Sequence, residues 1–348
     1  MSIGTKALRI LGTAVFSGVV LFLAMRVAAG QEDDKRVDRA TDKALEYLSR
    51  MQDSDGSWPG VGFKKSTAIA SIAVMAFMAK GNTPGEGRYG EIINKGIDYV
   101  LSTADPNTGY IAERGGMMYG HGAATLMLSE AAGMTTGERE KKMRETLEKA
   151  VKLILAAQQL PRQNRAEQGG WRYSPNSRDS DISVTGWQLL ALRAAKNAGA
   201  DVPLSAINDA VAYVKRSAAK GGGFAYQPGG VANLSRTGVG ILSLEVCGQH
   251  LTPEAIDAGE WVMRNPPAWP DQYFYYGVYY CSQGMFQLGG KYWGFYQPRL
   301  EALLLGLQES DGSWPSVRSG EQAGPAYSTA MAVLALSVKY HYLPIYQK

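Results

Sequence analysis

The segment Asp179-Ser180-Asp181-Ile182-Ser183 carries two acidic residues immediately before an apolar run that contains Thr185. A carboxyl group that burial keeps neutral can act as a proton donor. Asp and Ser are also preferred N-cap residues of helices. The segment therefore has two interpretations, an acid that performs proton transfer or a helix cap provided by Asp181 or Ser183.

Two further residues could take part in catalysis. His121, with Tyr119 two positions before it, could act as a general base or contact a ligand. A lone His is equally compatible with a polar side chain that is hydrogen-bonded inside a helical bundle. Tyr276 belongs to an unusually aromatic segment between Trp269 and Tyr296.

This aromatic segment could hold an apolar chain, stack on sugar rings or stabilise a cation. Alternatively, its large rings fill the volume that the shortest repeat leaves open. Arg236 and Asp271 could orient a polar group of a ligand, or could be solvated loop charges. The residues predicted to contact a ligand are Tyr119, Trp187, Arg236, Asp271, Tyr273, Tyr279 and Tyr280.

The sequence predicts neither a metal site nor a cofactor. No Asp-x-Cys motif with a distant His suggests zinc, because Glu245-Val246 precedes Cys247 and Tyr279-Tyr280 precedes Cys281. These are the chain's only cysteines, and they occupy non-equivalent heights on neighbouring predicted helices. A disulfide would need Cα atoms within about 7 Å. We therefore expect two free thiols.

A helix-pair pattern recurs along the chain and must position these residues. A small residue, followed three positions later by an aromatic residue or leucine and then by an aliphatic residue, begins repeats near 44, 96, 150, 210 and 258, and a sixth copy begins at Leu300. Turns such as Gly56-Ser57-Trp58 and Gly312-Ser313-Trp314 end the first helix. The second helix opens with Thr67, Thr185, Thr237 or Thr329 in four repeats, and with His121 or Tyr276 in the other two.

Helix pairs that cannot bury their own apolar faces must stack on their neighbours. The second helices are too apolar and too rich in small residues for an exposed concave surface. The pattern therefore predicts an all-α fold, an (α/α)6 toroid in which the second helices form the inner ring. Loops from first to second helices lie on one face, where we expect any binding site.

Residues 1–30 have the layout of a secretory signal peptide, with Lys6 and Arg9 before the apolar run Ile10 to Ala24 and small residues at Ala28 and Ala29. The run is shorter than the roughly 20 residues that span a bilayer. We expect an exported protein without a stable membrane span after cleavage, with a membrane anchor as the alternative. Residues 31–348 then form one toroid domain.

Charge does not indicate nucleic acid as a partner. Of the 36 basic residues, three lie in the predicted signal peptide, which contains no acidic residue. The remaining 33 nearly balance 32 acidic residues. The basic character of the whole chain therefore belongs mostly to the leader, and we expect no nucleic-acid binding.

The repeat resembles that of the squalene and oxidosqualene cyclases, within the prenyltransferase and squalene oxidase repeat group. Lys43-Ala44, Tyr47-Leu48, Gln52 and Gly56-Ser57-Trp58 match it fully, and degenerate copies cover residues 38–348. The resemblance implies an α/α toroid. It also implies that Asp181 would be the proton donor and Asp179 the supporting acid of an Asp-x-Asp-Asp motif, whose last acid is Ile182 in this chain.

Three functions remain open at this point. The first is an exported toroid that binds an elongated apolar or glycan-like small molecule at its mouth. The second is a terpenoid cyclase-like isomerase that uses Asp179 and Asp181, assisted by Tyr276. The third is a polysaccharide lyase or hydrolase on the same fold, with His121 or Tyr276 as the base. The incomplete acid motif counts against the second, and the lack of an obvious carboxylate pair counts against the third.

Overall fold

The computed structural model describes residues 34–60, 65–113, 116–317, 321 and 323–347, so the predicted signal peptide lies outside the described residues. In these ranges the chain forms twelve α-helices, which alternate between an outer and an inner position. The outer helices are α1 (34–51), α3 (Gly90–Ser102), α5 (Gly137–Gln159), α7 (Leu204–Arg216), α9 (Pro253–Arg264) and α11 (Gly290–Leu307). The inner helices are α2 (Thr67–Met78), α4 (Met118–Glu130), α6 (Ile182–Asn197), α8 (Leu234–Val246), α10 (Phe274–Leu288) and α12 (Pro325–Leu336).

The inner helices form a closed ring. Each one contacts the next in chain order, and α12 contacts α2. Their side chains are almost all buried, whereas the outer helices bury one face. The predicted (α/α)6 toroid is thus confirmed.

Close approach between inner helices explains the small residues at their start. A Cβ atom on Gly186 would lie 2.3 Å from Val239 Cγ1, and one on Gly238 would lie 2.6 Å from the backbone nitrogen of Cys281. Real Cβ atoms do not approach other atoms this closely, so a larger residue would push α6, α8 and α10 apart. Cys281 is buried, and both cysteines are free thiols, as expected.

In repeats one, three and six, tryptophan and glutamine side chains connect the turn to the surrounding helices. The indole N–H groups of Trp58, Trp171 and Trp314 each donate to a carbonyl of the preceding outer helix at 2.8 Å. Three glutamine amides donate both to a turn carbonyl and to a carbonyl of the next outer helix. These pairs are Gln52 with Gly56 and Ile92, Gln158 with Gly169 and Ala206, and Gln308 with Gly312 and Ala40.

In four of the six repeats, the residue that opens the inner helix accepts a backbone N–H from the turn of its own repeat. In repeats three, four and six a threonine hydroxyl has this role at 3.0 Å. The pairs are Trp171 N with Thr185, Phe224 N with Thr237, and Trp314 N with Thr329. In repeat two, Nδ1 of His121 accepts the N–H of Ile111 at 3.1 Å instead. His121 therefore replaces threonine as an acceptor of the same kind of bond.

The C-terminal residues 338–347 cover the end of the ring where the inner helices finish. The Glu130 carboxylate accepts the backbone N–H of Ile345 at 3.1 Å, and the Gln287 amide donates to the Tyr346 carbonyl at 2.8 Å. Burial raises the pKa of Glu130 to about 7. The hydroxyls of Tyr279 and Tyr346 contact each other inside the ring. Ligand access is therefore left to the opposite end.

Closure of the ring between the last and first repeats can be tested with Gln308→Ala. This change removes the bond to Ala40, at 2.8 Å, and the bond to Gly312, at 3.0 Å. Each hydrogen bond contributes about 0.5–1.5 kcal/mol. We expect the free energy of unfolding in urea to fall by about 1–3 kcal/mol.

The matched control is Gln297→Ala, on the same helix α11. Among the residues that the structure describes, the Gln297 amide bonds only Glu301, one turn further along, at 3.0 Å. Such an intrahelical pair stabilises a helix by about 0.2–0.5 kcal/mol. Equal losses of stability in the two variants would contradict a special role for Gln308 in closing the ring.

Candidate functional site

We call the end of the toroid where the inner helices begin the mouth. Loops from outer to inner helices lie there, as the repeat pattern predicts. The loop of repeat three runs from Leu160 to Ser180, and that of repeat four from Ser217 to Asn233. Backbone bridges pair Trp171 with Asp181 and Ala225 with Ala232. Both loops are therefore pinned to the start of their inner helix.

Asp181 lies at the base of the mouth and is fully buried. It is the N-cap residue of α6, and its Oδ1 accepts the N–H of Val184 at 2.9 Å. Oδ2 lies 3.5 Å from Nη1 of Arg172 and has no hydrogen-bond partner in the described part of the chain. Burial raises the pKa of Asp181 from 3.8 to about 6, although the Val184 N–H and the Arg172 charge oppose this shift. The side chain is thus both a cap and a carboxyl group that changes protonation near neutral pH.

Arg172 connects both acidic residues of this segment. Its Nε lies 3.2 Å from Oδ2 of Asp179, which is half-exposed. Its guanidinium also lies 4.7 Å from the ring centroid of Tyr173 and 5.2 Å from that of Tyr226. Stacking on aromatic rings holds a guanidinium in one orientation. Arg172 therefore fixes the acidic pair against two tyrosines.

Tyr173 and Tyr226 are equivalent positions of neighbouring repeats. Each follows its turn aromatic, Trp171 or Phe224, by two residues. The carbonyl of Tyr173 accepts the first N–H of α4 at 2.9 Å, and that of Tyr226 accepts the first N–H of α6 at 3.0 Å. Their hydroxyls contact each other. These backbone bonds place both rings at the mouth.

Sequence reasoning missed Arg172, Tyr173 and Tyr226. The available signal was the parallel between Gly170-Trp171-Arg172-Tyr173 and Gly223-Phe224-Ala225-Tyr226, in which tyrosine recurs at one offset. A tyrosine at the same offset in two neighbouring loops indicates two rings at one end of a ring of repeats.

Tyr119 and Tyr276 lie beside Asp181. Tyr119 is half-buried, and its ring centroid lies 5.9 Å from that of Tyr173. The hydroxyl of Tyr276 donates to the Ser183 carbonyl at 3.3 Å. Burial, and next to it the charge of Asp181, raises the pKa of Tyr276 far above its ordinary value, so the phenol stays protonated. It can donate a hydrogen bond but cannot act as a base near neutral pH.

A second buried carboxylate belongs to Glu321. Its oxygens accept the N–H groups of Tyr275 and Tyr276 at 2.9 and 2.6 Å, and the Tyr327 hydroxyl at 3.3 Å. Burial raises its pKa to about 7. These three donors occupy acceptor positions on both oxygens of the Glu321 carboxylate. Glu321 therefore provides the hydrogen-bond acceptors for the backbone N–H groups at the start of α10. Sequence reasoning did not identify this residue.

Three predicted ligand-binding residues lie deeper in the ring. Trp187 is 3% exposed, and Tyr279 and Tyr280 are fully buried. The Trp187 ring stacks on Tyr279 with centroids 6.0 Å apart and meets Tyr280 edge-on at 5.6 Å. These rings fill the axis below the mouth, as the volume-filling interpretation describes.

The remaining predicted residues are divided between core and rim. His121 is fully buried, and its Nε2 lies 3.3 Å from the Ala150 carbonyl while Nδ1 accepts from Ile111. Burial lowers its pKa to about 4. Asp271 is exposed and accepts the N–H of Ala268 at 2.9 Å. Tyr273 is 37% exposed at the start of α10.

Arg236 lies in the first turn of α8, and its guanidinium is 5.1 Å from the Tyr226 ring centroid. The mouth therefore brings Asp179, Asp181, Tyr119, Tyr276 and Arg236 together, with Arg172, Tyr173 and Tyr226 added by the structure. Within the described ranges no group of His, Cys, Asp or Glu side chains is arranged to hold a metal ion. Among those same residues, no helix is long and apolar enough to cross a membrane.

Comparison with known proteins supports the fold and leaves the activity open. No family model matches the chain. Lanosterol synthase of Aspergillus fumigatus is 29% identical over 133 residues, which are 36% of this chain and 17% of that protein. The match thus spans less than a fifth of the length of this relative.

Several solved structures share the architecture. An α-1,6-mannanase of a Salegentibacter species superposes with a TM-score of 0.65 at 8% identity, covering 86% of this chain and 98% of that one. Cellobiose 2-epimerase of Bacillus thermoamylovorans superposes with a TM-score of 0.61 at 11% identity, covering 87% of this chain and 99% of that one. The type II terpene cyclase MstE of Scytonema superposes with a TM-score of 0.57 at 13% identity, covering 90% of this chain and 99% of that one. The chain is therefore an α/α toroid of the architecture shared by terpene cyclases and glycan-converting enzymes.

The protonation of Asp181 makes a testable contribution to stability. A carboxyl group whose pKa is higher in the folded state destabilises that state once it ionises. A rise from 3.8 to about 6 corresponds to about 3 kcal/mol, at roughly 1.4 kcal/mol for each pH unit. Relative to Asp181→Asn, we expect the wild type to lose about 3 kcal/mol of unfolding free energy between about pH 3 and about pH 7, and no more above that.

Urea unfolding at a series of pH values measures this difference, and Asp181→Ala serves as the control. Asn keeps the cap on Val184, whereas Ala removes it at a cost of about 1 kcal/mol. The cost of removing the cap should be the same at every pH. If the difference in unfolding free energy between wild type and Asp181→Asn does not change with pH, ionisation of Asp181 does not destabilise the folded state.

Proposed function

We propose that this chain is an exported toroid that binds a glycan-like ligand at its mouth. The observation that carries the proposal is the stack of Tyr173, Arg172 and Tyr226 beside the buried carboxyl of Asp181. Aromatic faces cover the apolar faces of sugar rings, while guanidinium, carboxyl and phenol groups bond their hydroxyls. The mouth offers both kinds of contact in one place.

The packing of the ring favours a sugar-like ligand over a long apolar chain. An extended hydrocarbon would need a deep apolar channel, and the rings of Trp187, Tyr279 and Tyr280 occupy the axis below the mouth. The rim, in contrast, exposes Tyr173 and Tyr273 at 37% each.

Export is the other part of the proposal. It rests on the basic start, apolar run and small residues of segment 1–30. An exported binding protein would meet glycans outside the cytoplasm more readily than it would meet free polyprenes.

The second candidate function is acid–base catalysis by Asp181 on the same ligand. It is favoured by one specific observation, the buried Oδ2 without a hydrogen-bond partner in the described residues, on a carboxyl whose pKa is raised to about 6. A group with a pKa near the working pH is suited to proton transfer. Tyr276, held protonated beside it, would assist as a hydrogen-bond donor.

Binding to a panel of oligosaccharides and prenyl alcohols tests the proposal. We expect isothermal titration calorimetry to detect at least one oligosaccharide and no prenyl alcohol. Tyr173→Ala should weaken that binding by about fivefold to about 150-fold, because loss of one ring stacked on a ligand removes about 1–3 kcal/mol. Tyr342→Ala is the matched control, since Tyr342 is 53% exposed on the covered end of the ring.

Prenyl alcohol binding without any oligosaccharide binding would overturn the glycan proposal. An equal loss of ligand affinity in the Tyr173→Ala and Tyr342→Ala variants would indicate that the ligand binds away from the mouth. Chromatography of the incubated oligosaccharide separates binding from catalysis. A product that wild type forms and Asp181→Asn does not form would support the second candidate, and an unchanged oligosaccharide would support binding alone.

A further inference from the structure

The C-terminal residues 338–347, which we call the strap, close the covered end of the ring. They form two short 3-10 helices, Val338–Tyr340 and Pro344–Tyr346. The side chains of Leu343 and Ile345 are nearly fully buried. Helical turns this short are not stable on their own in water, so contacts with the ring must hold the strap in place.

Three side chains of the inner helices bind the strap. The Glu130 carboxylate of α4 accepts the Ile345 N–H at 3.1 Å. The Gln287 amide of α10 donates to the Tyr346 carbonyl at 2.8 Å, and the Tyr279 hydroxyl contacts that of Tyr346. Glu130 and Gln287 thus bind backbone groups of two successive residues, and Tyr279 contacts the side chain of the second.

The strap leaves other polar groups of the ring without a bond. It borders a gap of about 10 Å³ that is lined by Gln283 of α10 and by Ser337. The Oε1 atom of Gln283 and the Oγ atom of Ser337 are buried and have no hydrogen-bond partner among the described residues. Buried polar groups without a bond cost free energy. The docked strap therefore depends on few bonds, and a change at one of them should alter its docking.

Glu130 is the member of this set whose charge changes near neutral pH. It is the last residue of α4 and is 2% exposed beneath the strap. The C-terminus of a helix carries partial negative charge, which disfavours a carboxylate there. Burial raises the pKa of Glu130 from 4.5 to about 7, and the Ile345 N–H opposes this shift. Ionisation is therefore unfavourable while the strap covers Glu130, and release of the strap would return the carboxyl to water.

Two tyrosines face Glu130, Tyr279 from α10 and Tyr346 from the strap. Burial raises the pKa of both phenols far above neutral pH, so both stay protonated. Their contact with each other therefore does not change in the range where Glu130 titrates.

Charged side chains on the helices beside α4 have other partners. Helix α2 carries none. On α6, Arg193 and Lys196 donate to backbone carbonyls at 3.0 and 2.7 Å. In the first turn of α5, Arg139 pairs with Asp98, and Glu138 is exposed. Within the described residues, no ion pair therefore balances the charge of Glu130.

The outer side of the strap contacts the start of α1. Lys339 pairs with Asp34, and the Tyr340 hydroxyl bonds Asp38. Burial of Asp38 is outweighed by the hydrogen bonds that it accepts, so its pKa is lowered and it stays ionised. His341 packs edge-on against an aromatic ring of α10. Because histidine is the residue type that changes charge in the physiological range, His341 needs a control of its own.

We propose that the strap is a pH-sensitive closure of the covered end, which docks on protonated Glu130 and loosens when this carboxyl ionises, so that the ring gains a second opening at Tyr279. Docking should be firmest below the ordinary pKa of 4.5 and should weaken as the pH rises to about 7. The inference is independent of the glycan proposal, because it concerns the end of the ring opposite the mouth.

Hydrogen–deuterium exchange of the full chain at a series of pH values, corrected for the intrinsic rate, tests this closure. The rise in pKa from 4.5 to about 7 allows at most about a 300-fold change in the docking equilibrium. We expect the protection of amides in residues 343–347 to fall at least about tenfold between about pH 5 and about pH 8. Protection in residues 325–336 of α12 should stay within about twofold.

Glu130→Gln keeps an acceptor for the Ile345 N–H but cannot ionise, so its strap should remain protected to within about twofold across the same range. Glu321→Gln is the matched control. Glu321 is also a buried carboxyl that accepts backbone N–H groups and has a pKa of about 7, but it lies at the mouth. The Glu321→Gln and His341→Gln variants should keep the pH dependence of the strap. Circular dichroism melts show whether each variant is folded.

Three results would contradict the closure. The first is equal protection of the wild-type strap at both pH values, and the second is a pH dependence that persists in Glu130→Gln or disappears in His341→Gln. The third is a parallel loss of protection in α12, which would mean that ionisation loosens the whole ring. The wild-type series alone decides the first and third, even if a variant does not fold.

Discussion

In repeats two, three, four and six, a hydrogen bond joins the turn to the start of its inner helix, and this bond is the constraint on which the toroid depends. A turn that follows an outer helix leaves a buried backbone N–H, and such a group is costly without an acceptor. Thr185, Thr237 and Thr329 supply a hydroxyl, and His121 supplies a ring nitrogen at 3.1 Å. Because the acceptor residue is followed by a small one, the next helix can approach closely. One short motif thus satisfies the turn and permits ring closure.

The same bond positions the candidate site. Where Trp171 bonds Thr185, its carbonyl accepts the N–H of Asp181, and this pairing brings Arg172 and Asp179 together. The equivalent loop of repeat four places Tyr226 against Arg172. Repeat five lacks the glycine turn, so Tyr276 has no turn N–H to accept and instead donates to the Ser183 carbonyl. The mouth therefore gains Tyr173 and Tyr226 at one repeated offset, and it gains Tyr276 where repeat five departs from the pattern.

The helix pairs and the inner ring could be predicted from the sequence, because they follow from local periodicity. Capping preference predicted a helix start at the acidic segment but left Asp181 and Ser183 as alternative caps. The sequence was not sufficient to predict how deep each side chain lies along the axis of the ring. Tyr276, Tyr279 and Tyr280 share one face of α10, yet a single helical turn separates a residue at the mouth from a buried one. It also could not reveal contacts between loops of different repeats, such as Tyr173 with Tyr226. Those contacts depend on the rotation between neighbouring helix pairs, which no local pattern encodes.

Hydrogen–deuterium exchange of the protein with and without a bound oligosaccharide tests most directly whether the mouth is the recognition surface. Between the pinned ends of the two loops, few amides of residues 173–179 and 226–232 donate a backbone hydrogen bond, so these amides should exchange measurably in the free protein. We predict that ligand slows exchange in residues 171–181 and 224–236 and leaves residues 338–347 at the covered end unchanged. Slower exchange confined to residues 338–347, or to the outer helices, would contradict the account.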